Sequence, residues 1–166
     1  MNFVKLQPNG VARVSVYAAK LDNKGMQDIS FLIDTGATRT TLNKSILLDF
    51  MGYTEEWLQK NRIVLAENLK PKLADGRTLN AYGIPAMELT IGAHVIRHND
   101  YFLTADDAPG LGFLLGTDIL SYFDLFFKFS EIRMYYEFRK DRVKHQINPG
   151  DSFAYGLNSD KESNKK

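Results

Sequence analysis

At 166 residues, with 44% hydrophobic and 25% charged residues, the chain has the length and balance of one globular domain able to bury its own core. A formal net charge of +1 supplies no bulk attraction to nucleic acid or to an anionic membrane, so neither is an expected partner. The absence of cysteine excludes disulfides, thiol catalysis and thiolate zinc sites. Residues 1–10 are polar and lack the apolar core of a secretory signal. The greasiest stretch, residues 111–129, is interrupted by Asp118, Asp124 and Lys128 and does not read as a membrane span. The expectation is a soluble, cytoplasmic protein.

In chain order, residues 11–18 alternate apolar with small or polar side chains and residues 29–33 are apolar, so both read as strands. A short strand over 40–42 follows the break at Gly36. Asn43 caps a helix to about residue 51, with Gly52 at a left-handed stop, and Thr54 with Glu55 and Glu56 opens a second helix to about residue 62. Asp75-Gly76 is a turn signal between residues 72–74 and 78–82, and Gly92-Ala93 turns between 87–91 and 94–97. Residues 106–110 read as a loop, 113–115 as a short buried strand, and Thr117 as the cap of a helical turn to about residue 122. Residues 125–129 and 134–138 read as a last pair of strands. The domain is expected over residues 1–140, with a polar tail over 141–166. The fold class expected is mostly β with short helices.

The segment Phe31-Leu32-Ile33-Asp34-Thr35-Gly36-Ala37-Thr38 places an acid directly after three apolar residues. A carboxylate at the end of a buried strand meets surroundings that oppose ionisation. Gly36 removes a side chain beside it, so that a substrate or another backbone can approach, and Thr35 offers a hydroxyl to fix the loop. An isolated Asp-Thr-Gly is more often a turn than a catalytic loop. A second, distant element changes this: Leu114-Leu115-Gly116 followed by Thr117-Asp118-Ile119-Leu120, an apolar strand ending in glycine and entering a short helix.

Together these elements resemble the retropepsins, the retroviral-type aspartic proteases, and their bacterial relatives. Asp34-Thr35-Gly36-Ala37 is similar to the family's catalytic loop. The segment turning at Asp75-Gly76, with Ala74, Arg77 and Thr78 around it, resembles the flap hairpin. Leu114, Leu115 and Gly116, with Asp118 in a supporting role, resemble the closing element beneath the loop. The resemblance covers about residues 11–138. It implies a single-lobe closed β-barrel of the acid-protease type, an aspartic endopeptidase activity, a peptide or protein substrate, and neither cofactor nor metal. Aspartic proteolysis uses two carboxylates that share a proton. This chain has one Asp-Thr-Gly or Asp-Ser-Gly triplet and about half the length of a two-lobed enzyme, so a homodimer is implied, each copy supplying Asp34. Ala37 is expected on the cleft floor. It lacks the hydroxyl that pepsin-like sites often place there to favour the ionised carboxylate, which implies activity in mildly rather than strongly acidic solution.

The chain also departs from the family. Retroviral members usually carry an acid after Asp-Thr-Gly-Ala and an arginine after the closing glycine; here Thr38 and Thr117 stand there, and Arg39 with Asp118 is the substitute ion pair expected. Residues 43–70 are longer and more helical than in a minimal retroviral protease. His94 and His98 are expected as solvated hairpin residues rather than metal ligands, Asp106-Asp107 as loop residues, and Trp57 as a packing residue. Two rival readings stand beside the protease: a non-catalytic dimeric peptide-binding module, and the Asp-x-Gly-x-Thr phosphate loop of actin-like ATPases, for which the chain is too short.

Overall fold

Alternation along β2 (Arg13–Ala19) sends Val14, Val16 and Ala18 inward and Arg13, Ser15 and Tyr17 outward. In the computed structural model, which describes residues 1–73, 75–108, 111–139 and 141, β2 pairs antiparallel with β3 (Met26–Ile33), with Ser15 opposite Ser30. These two strands are the centre of a five-stranded sheet. On one side lie β5 (Leu89–Ile91) and then β6 (His94–Ile96); on the other lies β8 (Leu114–Leu115), parallel to β3. A two-stranded sheet joins β4 (Ala81–Pro85) to β7 (Tyr101–Ala105). A three-stranded sheet gathers both ends of the described chain, in the order β1 (Asn2–Lys5), β10 (Arg133–Phe138), β9 (Phe123–Lys128).

Three short α-helices also form among the described residues, and the starts of the first two follow from local capping. Asn43 Oδ1 accepts Ser45 N–H at 2.7 Å to open α1 (Lys44–Phe50), and Thr54 Oγ1 accepts Trp57 N–H at 3.0 Å to open α2 (Glu55–Asn61). Gly52, φ +83°, takes the left-handed conformation after α1. The helix α3 (Thr117–Leu120) starts from Gly116, not from Thr117. Phe31, Leu42, Leu47, Leu89, Phe102 and Tyr122 are fully buried in one core that spans the sheets and helices. Trp57 packs edge-on against Tyr53 at 5.0 Å.

Several expectations are corrected. The strand expected over 40–42 is reduced to Thr41, which bridges Leu103 on one side and Leu114 on the other, linking the two-stranded sheet to the five-stranded one. None of the sheets formed by the described residues closes on itself. The strand expected over 78–82 is split: Thr78 makes only a single bridge to Lys72 in the arm before the Asp75-Gly76 turn, and the continuous strand begins at Ala81, where β7 pairs with it. Both β1 and β7 lie outside the expected set. The tail expected over 141–166 lies outside the described residues, Asp141 excepted. No described helix is long and apolar enough to cross a membrane.

Candidate active site

Strand β3 ends on Phe31, buried edge-on against Phe113 at 5.6 Å, and on Ile33, beside which Leu115 of β8 runs in parallel register. The chain then leaves the sheet at Asp34. Asp34 N–H donates to the Leu115 carbonyl at 3.1 Å, so the carboxylate-bearing residue is tied to a strand far along the chain. Ala37 N–H donates to the Asp34 carbonyl at 3.2 Å, and Gly36 N–H donates to Asp34 Oδ1 at 3.0 Å. The turn therefore holds the carboxylate in one orientation. Asp34 and Ala37 are half-buried, while Thr35 and Gly36 are exposed. The apolar run before Asp34 points to a carboxylate at the end of a buried strand that is still reachable; within one chain the residue is half-buried, where that strand emerges at the surface.

Asp34, Gly36, Ala37 and Thr38 line a cleft of about 500 Å³, together with the segment 68–73. Leu79, Leu103, Leu111 and Leu114 give the cleft apolar lining, and Arg39, Lys70 and Lys72 bring positive charge to it. A pocket with apolar walls and a few convergent polar groups is the usual form of a binding site.

The Asp75-Gly76 turn follows in sequence the cleft-lining Lys72 and Leu73. Lys72 bridges Thr78, Leu73 N–H donates to the Arg77 carbonyl at 2.7 Å, and Gly76 N–H donates to the Leu73 carbonyl at 2.9 Å. Gly76 has φ +88°, a conformation costly for any side chain-bearing residue. Asp75 receives Arg77 N–H at 3.0 Å and Arg77 Nε at 2.7 Å, which fixes the tip. Asp75, Gly76, Arg77 and Thr78 are exposed and do not line the cleft, whereas Lys72 and Leu73 at the base of the turn do. Ala74 lies outside the described residues.

Beneath the Asp34 loop, Thr40 is the hub. Its N–H and Oγ1 donate to Asp118 at 3.0 and 2.8 Å, its Oγ1 accepts Gly116 N–H at 3.1 Å, and Asp118 also receives Ile119 N–H at 2.8 Å. Thr117 N–H donates to the Ala37 carbonyl at 2.8 Å, which completes the link to the loop. The ion pair expected between Arg39 and Asp118 is not the one formed: Arg39 pairs with Asp100 and lies over the Tyr101 ring at 4.1 Å. The reason is solvation. Asp118 is saturated by uncharged donors in the interior, while the guanidinium keeps some contact with water, where pairing costs less. Of the cleft leucines, Leu114 carries a signal in the sequence as part of the closing element; Thr40, Asp100, Leu79, Leu103 and Leu111 carry none as site residues, because their contacts are long-range and follow no local pattern.

Burial pushes the Asp118 carboxyl above its ordinary value of 3.8; the Thr40 and Ile119 donors and the charge of Arg39 oppose this without overcoming it. The folded protein therefore holds this proton more tightly than the unfolded chain. Asp118 contributes most stability below the ordinary carboxylate value, and that contribution falls as pH rises through the window above 3.8, then stays constant. In urea unfolding, the stability of wild type relative to Asp118→Asn is expected to decline with rising pH across that window and to be flat near neutrality. A difference that grows with pH there would refute the assignment.

Away from the cleft, Asp106 is more than a loop residue. It accepts Lys44 Nζ at 2.8 Å and Tyr82 Oη at 3.0 Å and meets Arg62 at 3.5 Å; burial and this carboxylate together push the Tyr82 hydroxyl up to about 12. The two histidines are corrected as well. His94 stacks on Phe138 at 4.2 Å, and His98 is buried between Phe102 and Tyr122 rather than solvated. Among the described residues, no three of His, Asp or Glu converge as metal ligands do.

Comparison with protein-family profiles and with curated protein sequences gives no match. Solved structures do match. One is a retropepsin-like aspartic protease from Rickettsia conorii, with a TM-score of 0.56 and 20% identity over 80% of this chain and 86% of that one. Another is the EIAV protease in complex with the inhibitor HBY-793, with a TM-score of 0.46 and 18% identity over 71% of this chain and 92% of that one. This mostly β chain has the retropepsin-like fold.

Proposed function

We propose that this chain is one subunit of an aspartic endopeptidase, in which two copies pair and their Asp34 carboxylates share one proton. The observation that carries the reading is the position of Asp34: it stands at the mouth of β3, held by Gly36 N–H, and lines a cleft that Lys72 and Leu73 at the base of the Asp75-Gly76 hairpin also line. The fold, that of the Rickettsia aspartic protease, supports it. Exposed Thr35 and Gly36 leave the loop open to a second copy and to a substrate backbone.

In this reading the ionised Asp34 takes a proton from water as the oxygen attacks the scissile carbonyl carbon. The protonated Asp34 of the other copy gives its proton to the carbonyl oxygen, producing a neutral tetrahedral diol. Collapse breaks the C–N bond, with a proton delivered to the leaving nitrogen. Like charges so close repel, which is why the two carboxylates hold one proton between them. The hairpin of Asp75, Gly76, Arg77 and Thr78, with Ala74, would act as the flap over the bound peptide. The leucines of the cleft favour apolar substrate side chains.

Peptide cleavage measured against enzyme concentration tests the reading. In mildly acidic solution the rate is expected to rise more steeply than linearly with dilute enzyme, because the active species is the dimer. Strict proportionality from a monomer would refute the shared dyad. Peptide binding without cleavage at any pH, by a folded dimer, would favour the binding module.

A further inference from the structure

The outer face of the three-stranded terminal sheet carries three parallel bands. Register places Phe3 opposite Tyr135 and Tyr135 opposite Phe126, one aromatic row across all three strands. The ring centroids of Tyr135 lie 5.8 Å from Phe3 and 6.4 Å from Phe126. Phe3 and Phe126, on the two outer strands, are 48% and 58% exposed, so the row forms a contiguous apolar patch rather than scattered single residues. Two residues along in one direction, Lys5, Arg133 and Lys128 form a basic row; two residues along in the other, Glu137 and Asp124 form an acidic pair. The opposite face, with Val4, Met134, Tyr136 and Leu125, is turned to the core.

This arrangement is unfavourable for a chain on its own. Like charges directly opposite one another on neighbouring strands destabilise a sheet. Local partners relieve only part of the strain: Glu131 pairs with Lys128 at 3.0 Å and accepts Tyr135 Oη at 2.6 Å, Arg133 lies over the Phe3 ring at 4.2 Å, and Arg139, whose charge Asp124 feels, pairs with Asp141. The order acidic, aromatic, basic is nevertheless self-complementary. A two-fold axis along the aromatic row reverses strand direction, laying aromatic on aromatic and the acidic band of one copy on the basic band of the other. Glu137 then faces Arg133, and Asp124 faces Lys128. A membrane or a nucleic acid would favour a face of one sign.

We propose that this face is a self-association surface, on which a second copy of the chain stacks sheet on sheet about that axis. It goes beyond the protease reading. None of its residues lines the Asp34 cleft, and copies stacked here keep the terminal sheet of each chain between their Ile33 side chains. It is therefore a different surface from one that pairs Asp34, and peptide cleavage is not its readout.

Sedimentation of the full chain over a range of concentrations and salt tests it, with circular dichroism to verify folding. Phe126→Ser is expected to weaken one association step by at least about tenfold, and high salt to weaken that step in wild type. Arg133→Glu and Glu137→Arg are each expected to weaken it, and the double variant to restore it. Because Arg133 also touches Phe3 and Tyr135, the pair Asp124→Lys and Lys128→Glu repeats the exchange on another strand. An association insensitive to Phe126→Ser would overturn the proposal, and so would double variants whose losses simply add. A chain that stays monomeric but binds anionic vesicles through this face would overturn it in favour of a membrane surface.

Discussion

Replacing Asp34 by Asn is expected to abolish peptide cleavage while leaving the melting temperature close to that of wild type. The carboxylate is half-buried and, among the described residues, receives one hydrogen bond, from Gly36 N–H at 3.0 Å, which an amide oxygen accepts equally well. The change in stability should therefore stay within about 0.5 kcal/mol, as for other surface positions. The chemistry has no such tolerance. An amide neither takes the proton of the attacking water nor shares a proton with a second carboxylate. Loss of the general acid–base step alone accounts for about 10²–10⁴-fold in rate.

Mixing sharpens the same experiment. If each active unit contains two Asp34 residues, an Asp34→Asn chain poisons every dimer it enters. Under conditions where all chains are paired, an equal amount of variant should lower wild-type activity to about one half, and a threefold excess to about one quarter, by random assortment across a two-fold interface. Wild-type activity that is indifferent to added variant would mean that a single chain carries the whole catalytic apparatus, and the proposal of a shared dyad would be lost.

The parts of this site that were legible in the sequence are those written in neighbouring residues. An acid after Phe31-Leu32-Ile33 and before Thr35-Gly36 marks the mouth of a strand, and the structure has β3 ending there. Asn43 and Thr54 signal helix starts through side chains that reach only two or three residues ahead. Asp75-Gly76 signals its turn through the φ of +88° that Gly76 adopts. What could not be read is whatever depends on residues distant in the chain. Strand β1 carries little burial of its own and exists because β10, at the other end of the domain, presents a matching edge. β4 starts at Ala81 because β7 pairs with it there, although the hairpin signal upstream favoured an earlier start. Arg39 chose Asp100 over Asp118 because of which carboxylate the fold had already saturated with neutral donors. Local pattern thus located the carboxylate, while tertiary context decided what holds it.

That tertiary context makes Gly116→Ala the second change expected to have a large effect, this time on the fold. Gly116 has φ −91° and ψ −178°, an extended conformation open to any residue, so backbone freedom is not the reason for glycine here. Space is the reason. A Cβ at this position would lie 2.7 Å from the Arg39 carbonyl carbon and 2.8 Å from its nitrogen and oxygen. Those are backbone atoms and cannot swing aside as a side-chain tip would. To admit the methyl group, the segment at Arg39 must withdraw, stretching the bond from Gly116 N–H to Thr40 Oγ1 and the two bonds from Thr40 to Asp118. Overpacking of this kind, with buried donors left poorly paired, costs about 3 kcal/mol. For a chain of this size that lowers the melting temperature by about 6–12 °C. Gly112 supplies the control, since a Cβ there meets nothing within 4 Å. Gly112→Ala should melt within about 2 °C of wild type, as an unobstructed surface change does. If Gly116→Ala melted equally high, the Arg39 backbone would have room to move, and the connection from α3 through Thr40 to the Asp34 loop would be a loose one.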